Sequence, residues 1–422
     1  MGPAQTDGSL ETTLPIPRAS RVPHTFRALR HRNFRLFISG QIVSLVGTWM
    51  QNAAQSWLVY RLTHNELLLG TAWFCSQIAV FALGPLGGLA ADRYSRKKIV
   101  ILTQALSMLQ AFALAALTVT GHVRVWHVLA LAGTLGVINA FDMPARQALV
   151  IEMTCREDLL NAISLNSAVF NAARVVGPGV AGLLVAAIGE GLCFLLNGVS
   201  FLAVIVCLVS MRLPRFERKD QPPVLEHLAD GFRYAAGHSA VRRLLAVMGA
   251  ATLAGMPGLV LMPFFAEDIF HRGSQGYGVL MSAMGVGAVF GTLVLARRTH
   301  ASGLARVMVF SGLTTGVCYL AFAFSRSYYL SLAIMPVVGY SIMRQMASAN
   351  TTIQILIPEE YRGRIMALYA MTVVGIGPFG SLAAGALARQ SGARATMAMG
   401  GCLALAASTI FALSLRRDPI AA

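Results

Sequence analysis

Carboxylates are scarce in this chain. Its 422 residues include 18 Asp and Glu against 34 Lys and Arg, and charged residues of both signs make up only 12%. A water-soluble domain carries about 25% charged residues, so the scarcity excludes an ordinary soluble fold and implies an integral membrane protein. No Asp or Glu falls in the middle of a long apolar run; Glu152, Glu267 and Asp268 lie near run ends. The six cysteines are scattered, form no C-x-x-C pair and join no His/Cys cluster of metal-ligand spacing. They read as small apolar side chains packed between helices. His122 and His127 are five apart, a poor match to one helix face. Neither a metal nor a cofactor is expected. P-loop, G-x-S-x-G and H-E-x-x-H patterns are missing, which removes ATP as a direct energy source and leaves an enzyme without residues to support it. Residues 1–25 are polar, with four prolines, and lack the apolar core and cleavage site of a signal peptide. They are expected to form a disordered cytoplasmic leader.

What the chain has is hydrophobicity: 56% of its residues are apolar. Apolar stretches long enough to cross a hydrocarbon core of about 30 Å recur twelve times. The expected spans are 33–59, 67–91, 98–120, 125–146, 163–188, 191–212, 243–266, 275–296, 304–324, 328–350, 364–388 and 394–415. With the N-terminus placed inside, 27 of the 34 Lys and Arg fall on the inner side. The outer side receives only Arg61, Arg124, Arg272, Arg326, Arg389 and Arg394, and Arg174 lies within a span. The positive-inside rule therefore predicts that both termini are cytoplasmic. The net charge of +16 is distributed between apolar segments instead of forming one surface, so no nucleic-acid partner is expected.

The chain divides into six helices and six. Residues 26–212 and 243–415 are expected to be two bundles, with 213–242 a cytoplasmic connection and 416–422 a short tail. The connection begins polar and then turns amphipathic, with Val224, Leu225, Leu228, Phe232 and Tyr234 among charged residues. That part reads as a helix on the inner membrane surface. The halves resemble each other. Gly177-Pro178 in the fifth helix has a counterpart in Gly377-Pro378, and Glu157-Asp158 is matched by Glu359-Glu360. Gly291 to Arg297-Arg298 echoes the 88–98 segment without its carboxylate.

That 88–98 segment carries the strongest motif: Gly88, Asp92, Arg93, Arg96 and Lys97 in the form G-x-x-x-D-R-x-x-R-K, between the second and third spans. A carboxylate at a helix end beside three cations is compensated where burial would otherwise be costly. A hydrophobic chain with this hinge resembles a transporter of the major facilitator superfamily; Ser95 departs from the usual glycine. The resemblance implies that Asp92 closes the cytoplasmic side by docking on the start of the eleventh helix, here around Gly363 and Arg364. Parallel six-helix repeats are also how that superfamily is built. Asn33 to Asn52, Phe141-Asp142-Met-Pro144-Ala-Arg146 and Asn161 to Asn166 further resemble the bacterial efflux branch that contains the enterobactin (siderophore) exporter. The expected fold is all-α: twelve transmembrane helices in two pseudo-symmetric six-helix bundles.

Four further features carry readings. Arg174 is the clearly intramembrane charge and precedes Gly177, Pro178 and Gly182, a set that should bend the fifth helix and partly resembles the superfamily's antiporter motif. It is either coupled to protons or substrate, or structural and bonded to backbone carbonyls. Gln41, Ser44, Thr48, Gln51 and Gln55 share one face of the first helix, with Asn52 beside it. Such a face lines another helix or, as the resemblance favours, a central substrate cavity. Asp142 and Arg146 are four apart and either pair with each other or supply a proton-linked carboxylate. Thirteen of nineteen methionines follow Met211, which suits either ordinary core filling or a pliable binding surface.

The chain is thus expected to be a monomeric inner-membrane exporter. Its partners are a small amphiphilic substrate, drug-like or siderophore-like, together with protons and membrane lipid. A lysophospholipid transporter of the same branch, or a non-transporting sensor that kept the fold, are the alternatives. The short tail and the lack of an appended soluble domain argue against the sensor.

Overall fold

The computed structural model describes residues 24–213, 224–296 and 303–418, and all regular structure among them is helical. A tight 3-10 segment, His24–Arg30, leads into α1 (Arg32–Thr63), α2 (Glu66–Arg93), α3 (Arg96–Val119), α4 (Val125–Glu152), α5 (Leu159–Ile188) and α6 (Glu190–Val209). After α7 (Val224–Gly237) comes α8 (Ser239–Val260), extended by the short α9 (Met262–Phe264) and by a wider π turn, Phe265–Ile269. The chain continues through α10 (Gly273–Ala296), α11 (Leu304–Phe324), α12 (Tyr328–Leu356), α13 (Glu359–Ser391) and α14 (Ala393–Arg417). Counting α8 and α9 as one, twelve helices are of spanning length. Ten of these are apolar enough to qualify on composition alone. The other two, α1 and α12, are 32 and 29 residues long and carry rows of Gln, Ser, Thr and Asn. Arg297, Arg298 and residues 214–223 lie outside the described residues.

Local chemistry sets the turns. His64 closes α1 in the left-handed region, φ 44°, and Asn65 at once opens α2 by accepting from the Leu67 and Leu68 amides at 3.0 and 3.4 Å. Gly189 joins α5 to α6 at φ 82°, and Gly392 joins α13 to α14 at φ 86°. A side chain at either position would be strained. That one irregular backbone state recurs at matching points of the two halves.

The helix pairing is doubled in the same way. In the first half α2 packs on α4, α3 on α6 and α4, and α1 on α5 and α6. In the second half α10 packs on α12, α11 on α14 and α12, and α8 on α13 and α14. Between halves the two main pairings are α2 with α13 and α5 with α10, which a two-fold exchange of halves interchanges. Large apolar side chains cover the outside: Leu102, Val206, Phe310 and Phe324 are 60, 58, 68 and 75% exposed. Water would not tolerate that surface over a whole molecule; lipid does.

Candidate functional site: a central cavity with one closed and one open face

The hinge motif and the chain's basic clusters lie at one face of the molecule, called here the basic face. The α1–α2, α5–α6 and α13–α14 turns lie at the opposite face. There the two halves meet closely. A methyl group on Gly385 of α13 would stand 2.6 Å from the Glu66 carbonyl and 3.2 Å from Gly70 Cα of α2. One on Gly182 of α5 would stand 2.6 Å from the Ser274 carbonyl and 3.0 Å from Gly278 Cα of α10. Each seam also has a serine donating to a glycine carbonyl across it: Ser381 to Gly70 and Ser274 to Gly182, both at 3.2 Å. Ser282 donates to the Val175 carbonyl at 2.7 Å farther along the α5–α10 seam. Between the seams Trp57 stacks on Tyr277 with ring centroids 6.2 Å apart. The Tyr60 hydroxyl donates to Asp268 at 2.7 Å.

At the basic face the halves are parted. Asp92, half-buried at the end of α2, makes no ion pair or hydrogen bond among the described residues. A methyl added to Gly88 or Gly363 would meet nothing within 4 Å. The close approach expected at Gly88 belongs to its neighbour Gly87, which lies against the Ala140 carbonyl of α4. Arg93 is exposed. Arg96 is drawn to Glu152 at 2.7 Å, and Lys97 donates to the Met211 carbonyl at 2.7 Å. Arg364, the expected docking point for Asp92, is instead 3.4 Å from Asp230 of α7 and sits over the Tyr361 ring. Tyr234 of α7 stacks on that same ring at 4.4 Å, so α7 leans on α13.

The polar face of α1 does not line the central space. Gln51 donates to Gln110 of α3 at 3.0 Å and accepts from Asn197 of α6 at 2.7 Å. Gln41 accepts from Arg146 of α4 at 2.8 Å, and Thr48 turns back to the Ser44 carbonyl at 2.9 Å. Gln55 is buried with its side-chain oxygen unpartnered. Gln51 and Gln41 thus find partners inside the first bundle, although Gln41 Nε2 is left without one, so a polar stripe within a membrane helix need not face water. Asp142 belongs to the same network. It is 2% exposed, accepts from Thr103 and Gln104 at 2.7 and 2.9 Å, and pairs with Arg146.

The central space is a cavity of about 330 Å³ whose α1 wall is the adjoining face, Trp49, Asn52, Ala53 and Ser56. Trp73 and Arg174 complete the first-half wall. The second half contributes thioethers above all: Met248, Met256, Met281, Met284, Met343 and Met346. Unbranched, polarizable side chains of this kind adapt to varied apolar shapes. These six border the cavity while Met248 is also buried in the core, and Met262 is fully buried away from the cavity. Pro178 also borders the cavity and lies within an unbroken α5, while Gly177 receives Trp49 and Met50 of α1.

Among the described residues Arg174 is the only charged one lining the cavity. Its guanidinium has no ion pair or hydrogen bond among the described residues, and Nη2 is buried without a partner. An arginine at mid-membrane costs about 2.5–3.5 kcal/mol on insertion scales, so an unpartnered one is unusual. Arg344, counted with the basic side on sequence, is a second helix-interior cation. It donates to the Tyr340 hydroxyl at 2.9 Å and lies over that ring, with Nε buried and unpartnered. At the basic face His31, Cys155 and Asp158 come within 4.8 Å of one another. Arg27, 4.0 Å from Asp158, supplies the positive charge there. The hydrogen bond from His31 holds the Asp158 carboxyl below the usual carboxylate range.

Two six-helix bundles around a central cavity, sealed at one face and parted at the other, define a secondary transporter. The chain belongs to the transmembrane secretion effector family of the major facilitator superfamily, whose model matches residues 24–420. It is similar to the staphyloferrin A transporter of Staphylococcus aureus, 24% identical over 82% of this chain and 87% of that protein. It is also similar to the multidrug efflux pump Tap of Mycolicibacterium fortuitum, 28% identical over 86% and 90%, and to the enterobactin exporter EntS of Shigella boydii, 24% identical over 82% and 83%. Among solved structures, a bacterial homologue of ferroportin in its inward-facing state shares the fold with a TM-score of 0.69 at 18% identity, covering 90% of this chain and 98% of that one. A bacterial Spinster homologue, inward-facing and occupied, does so with a TM-score of 0.73 at 12% identity, covering 92% and 97%. The chain is a multi-pass membrane transporter of small molecules and not an enzyme.

Proposed function

We propose that this protein exports amphiphilic small molecules, siderophore-like or drug-like, across the bacterial inner membrane by alternating access. One observation carries the reading. A pliable, methionine-rich cavity lies between two bundles that touch closely at one face and are parted at the other. The basic face is the cytoplasmic one on the positive-inside argument, so the cavity is poised to load from the cell interior. Similarity to siderophore and multidrug exporters supports the direction.

Closure of the cytoplasmic side brings Asp92 to the start of α13 near Arg364. Asp230 now holds that arginine, and the two carboxylates exchange places during the cycle. An exposed ion pair contributes about 0–1 kcal/mol and an anion at a helix N-terminus about 0.3–2 kcal/mol. The exchange is therefore close to balanced, which a cycling gate requires. Proton coupling works through Asp142, since no carboxylate among the described residues lines the cavity; protonation releases Arg146, which also holds Gln41 of α1. The protein acts as a monomer.

The test is cargo-dependent proton movement in proteoliposomes, screened with catecholate siderophores, macrolides, hydrophobic cations and lysophospholipids. Proton flux that requires both a cargo and Asp142 is expected. Cargo movement without proton flux would remove the coupling and leave a uniporter, and accumulation of lysophospholipid alone would replace export with lipid transport.

A further inference from the structure

The cavity has charge of one sign. Among the described residues Arg174 is its only ionised lining residue, and the polar side chains beside it, Asn52, Ser56, Thr252, Thr315, Gln345 and Ser408 among them, are neutral. Three other arginines that reach into the molecule are answered by carboxylates, and Arg344 is held by the Tyr340 hydroxyl and ring. Arg61 has Glu190 and Arg96 has Glu152, each at 2.7 Å, and Arg146 has Asp142. Those carboxylates are engaged in their own pairs, and Asp268 at the closed face is held by Tyr60. Among the described residues no carboxylate pairs with Arg174. A planar guanidinium that borders the cavity without a partner among the described residues suits two oxygens of one anionic group. A cationic cargo would meet the same charge with no compensating carboxylate, although Trp49 and Trp73 could offer it aromatic faces.

We infer that the cavity selects anionic amphiphiles. The cargo's carboxylate, or an equivalent oxyanion, docks on Arg174, and its apolar or aromatic body lies against Trp49, Trp73 and the methionines. This rests on the cavity being the cargo site and narrows its substrate class: hydrophobic cations are excluded, acids are admitted.

The two cavity tryptophans provide a readout independent of transport, because only Trp57 and Trp126 lie elsewhere. Energy transfer from tryptophan to dansyl would be titrated on the full-length protein in nanodiscs. Three probes share one aromatic body: dansylglycine (anionic), dansylamide (neutral) and dansylcadaverine (cationic). Dansylglycine should bind at least about tenfold more tightly than dansylcadaverine. Arg174→Gln should remove that preference without raising the affinity for dansylamide more than severalfold, and Arg174→Lys should keep part of it. Equal binding of acid and amine, no saturable binding of dansylglycine, or a preference that survives Arg174→Gln in a protein of unchanged elution profile would each overturn the inference. Displacement by 2-naphthoate rather than laurate would assign the site to aromatic acids, and the reverse to fatty-acid-like lipids; both support anion selection. The same probes in proteoliposomes separate the two claims. Anion-selective binding without movement of any probe would refute export and keep the anion site, while equal movement of all three would refute the anion site and keep transport.

Discussion

A carboxylate as deeply buried as Asp142 persists only because four groups share its charge and lone pairs: Thr103, Gln104, Arg146 and, through Arg146, Gln41. The i,i+4 spacing made the pairing with Arg146 readable from sequence. The partners on α1 and α3 were not readable, because they come from residues about 100 and about 40 positions away, respectively. The same limit explains the polar face of α1. Sequence shows that Gln51 cannot face lipid, but not whether Gln110 and Asn197 or water will satisfy it. Arg174 was visible as an intramembrane cation, and its lack of a carboxylate partner among the described residues is a property of the fold alone. Removing one partner of a buried pair strands the other. Asp142→Ala should therefore lower the stability of the protein by about 3 kcal/mol, seen as a lower thermal midpoint in detergent. Asp142→Asn, which keeps an acceptor, should lose less than half as much. Equal losses would mean that the charge contributes little and that packing dominates.

At the scale of elements, the twelve expected spans fall on the twelve long helices with some ends several residues short, and ten of those helices qualify as spans on length and composition. The expected 304–324 coincides with α11, and 364–388 lies inside α13. Excess length was harder to read, since α13 begins at Glu359 and runs on beyond the hydrocarbon core. The amphipathic α7 was also legible, but its partner was not. Instead of lying only on the membrane it rests on α13 through Asp230–Arg364 at 3.4 Å and the Tyr234–Tyr361 stack at 4.4 Å. Two such contacts are weak singly and should hold α7 only together. Asp230→Ala combined with Tyr234→Ala should raise amide hydrogen exchange across 224–237 by at least about tenfold, while exchange in α8 stays unchanged. An α7 as protected as before would show that lipid, not α13, holds it.

For the whole molecule, the two-fold relation between halves turns local glycine packing into a global switch. The seams α2–α13 and α5–α10 interchange under exchange of the halves, so a rocking motion that opens them both at the closed face must bring the basic ends together. Bulk at Gly182 should drive that motion, because a leucine there collides with Ser274 and Gly278 only while the seam is shut. Overpacking of this kind costs about 1–3 kcal/mol, comparable with the balance proposed for the gate. Spin labels at exposed Tyr94, beside the hinge, and exposed Glu360, at the start of α13, report on the far side of the molecule. Gly182→Leu should shift their distance distribution toward shorter values, and Asp92→Asn in the same background should reverse much of the shift by weakening the closed gate. If the labels stay as far apart in Gly182→Leu as in the parent, the two faces are not coupled. The fold would then be a static scaffold, as the sensor alternative requires, and not a machine that alternates access.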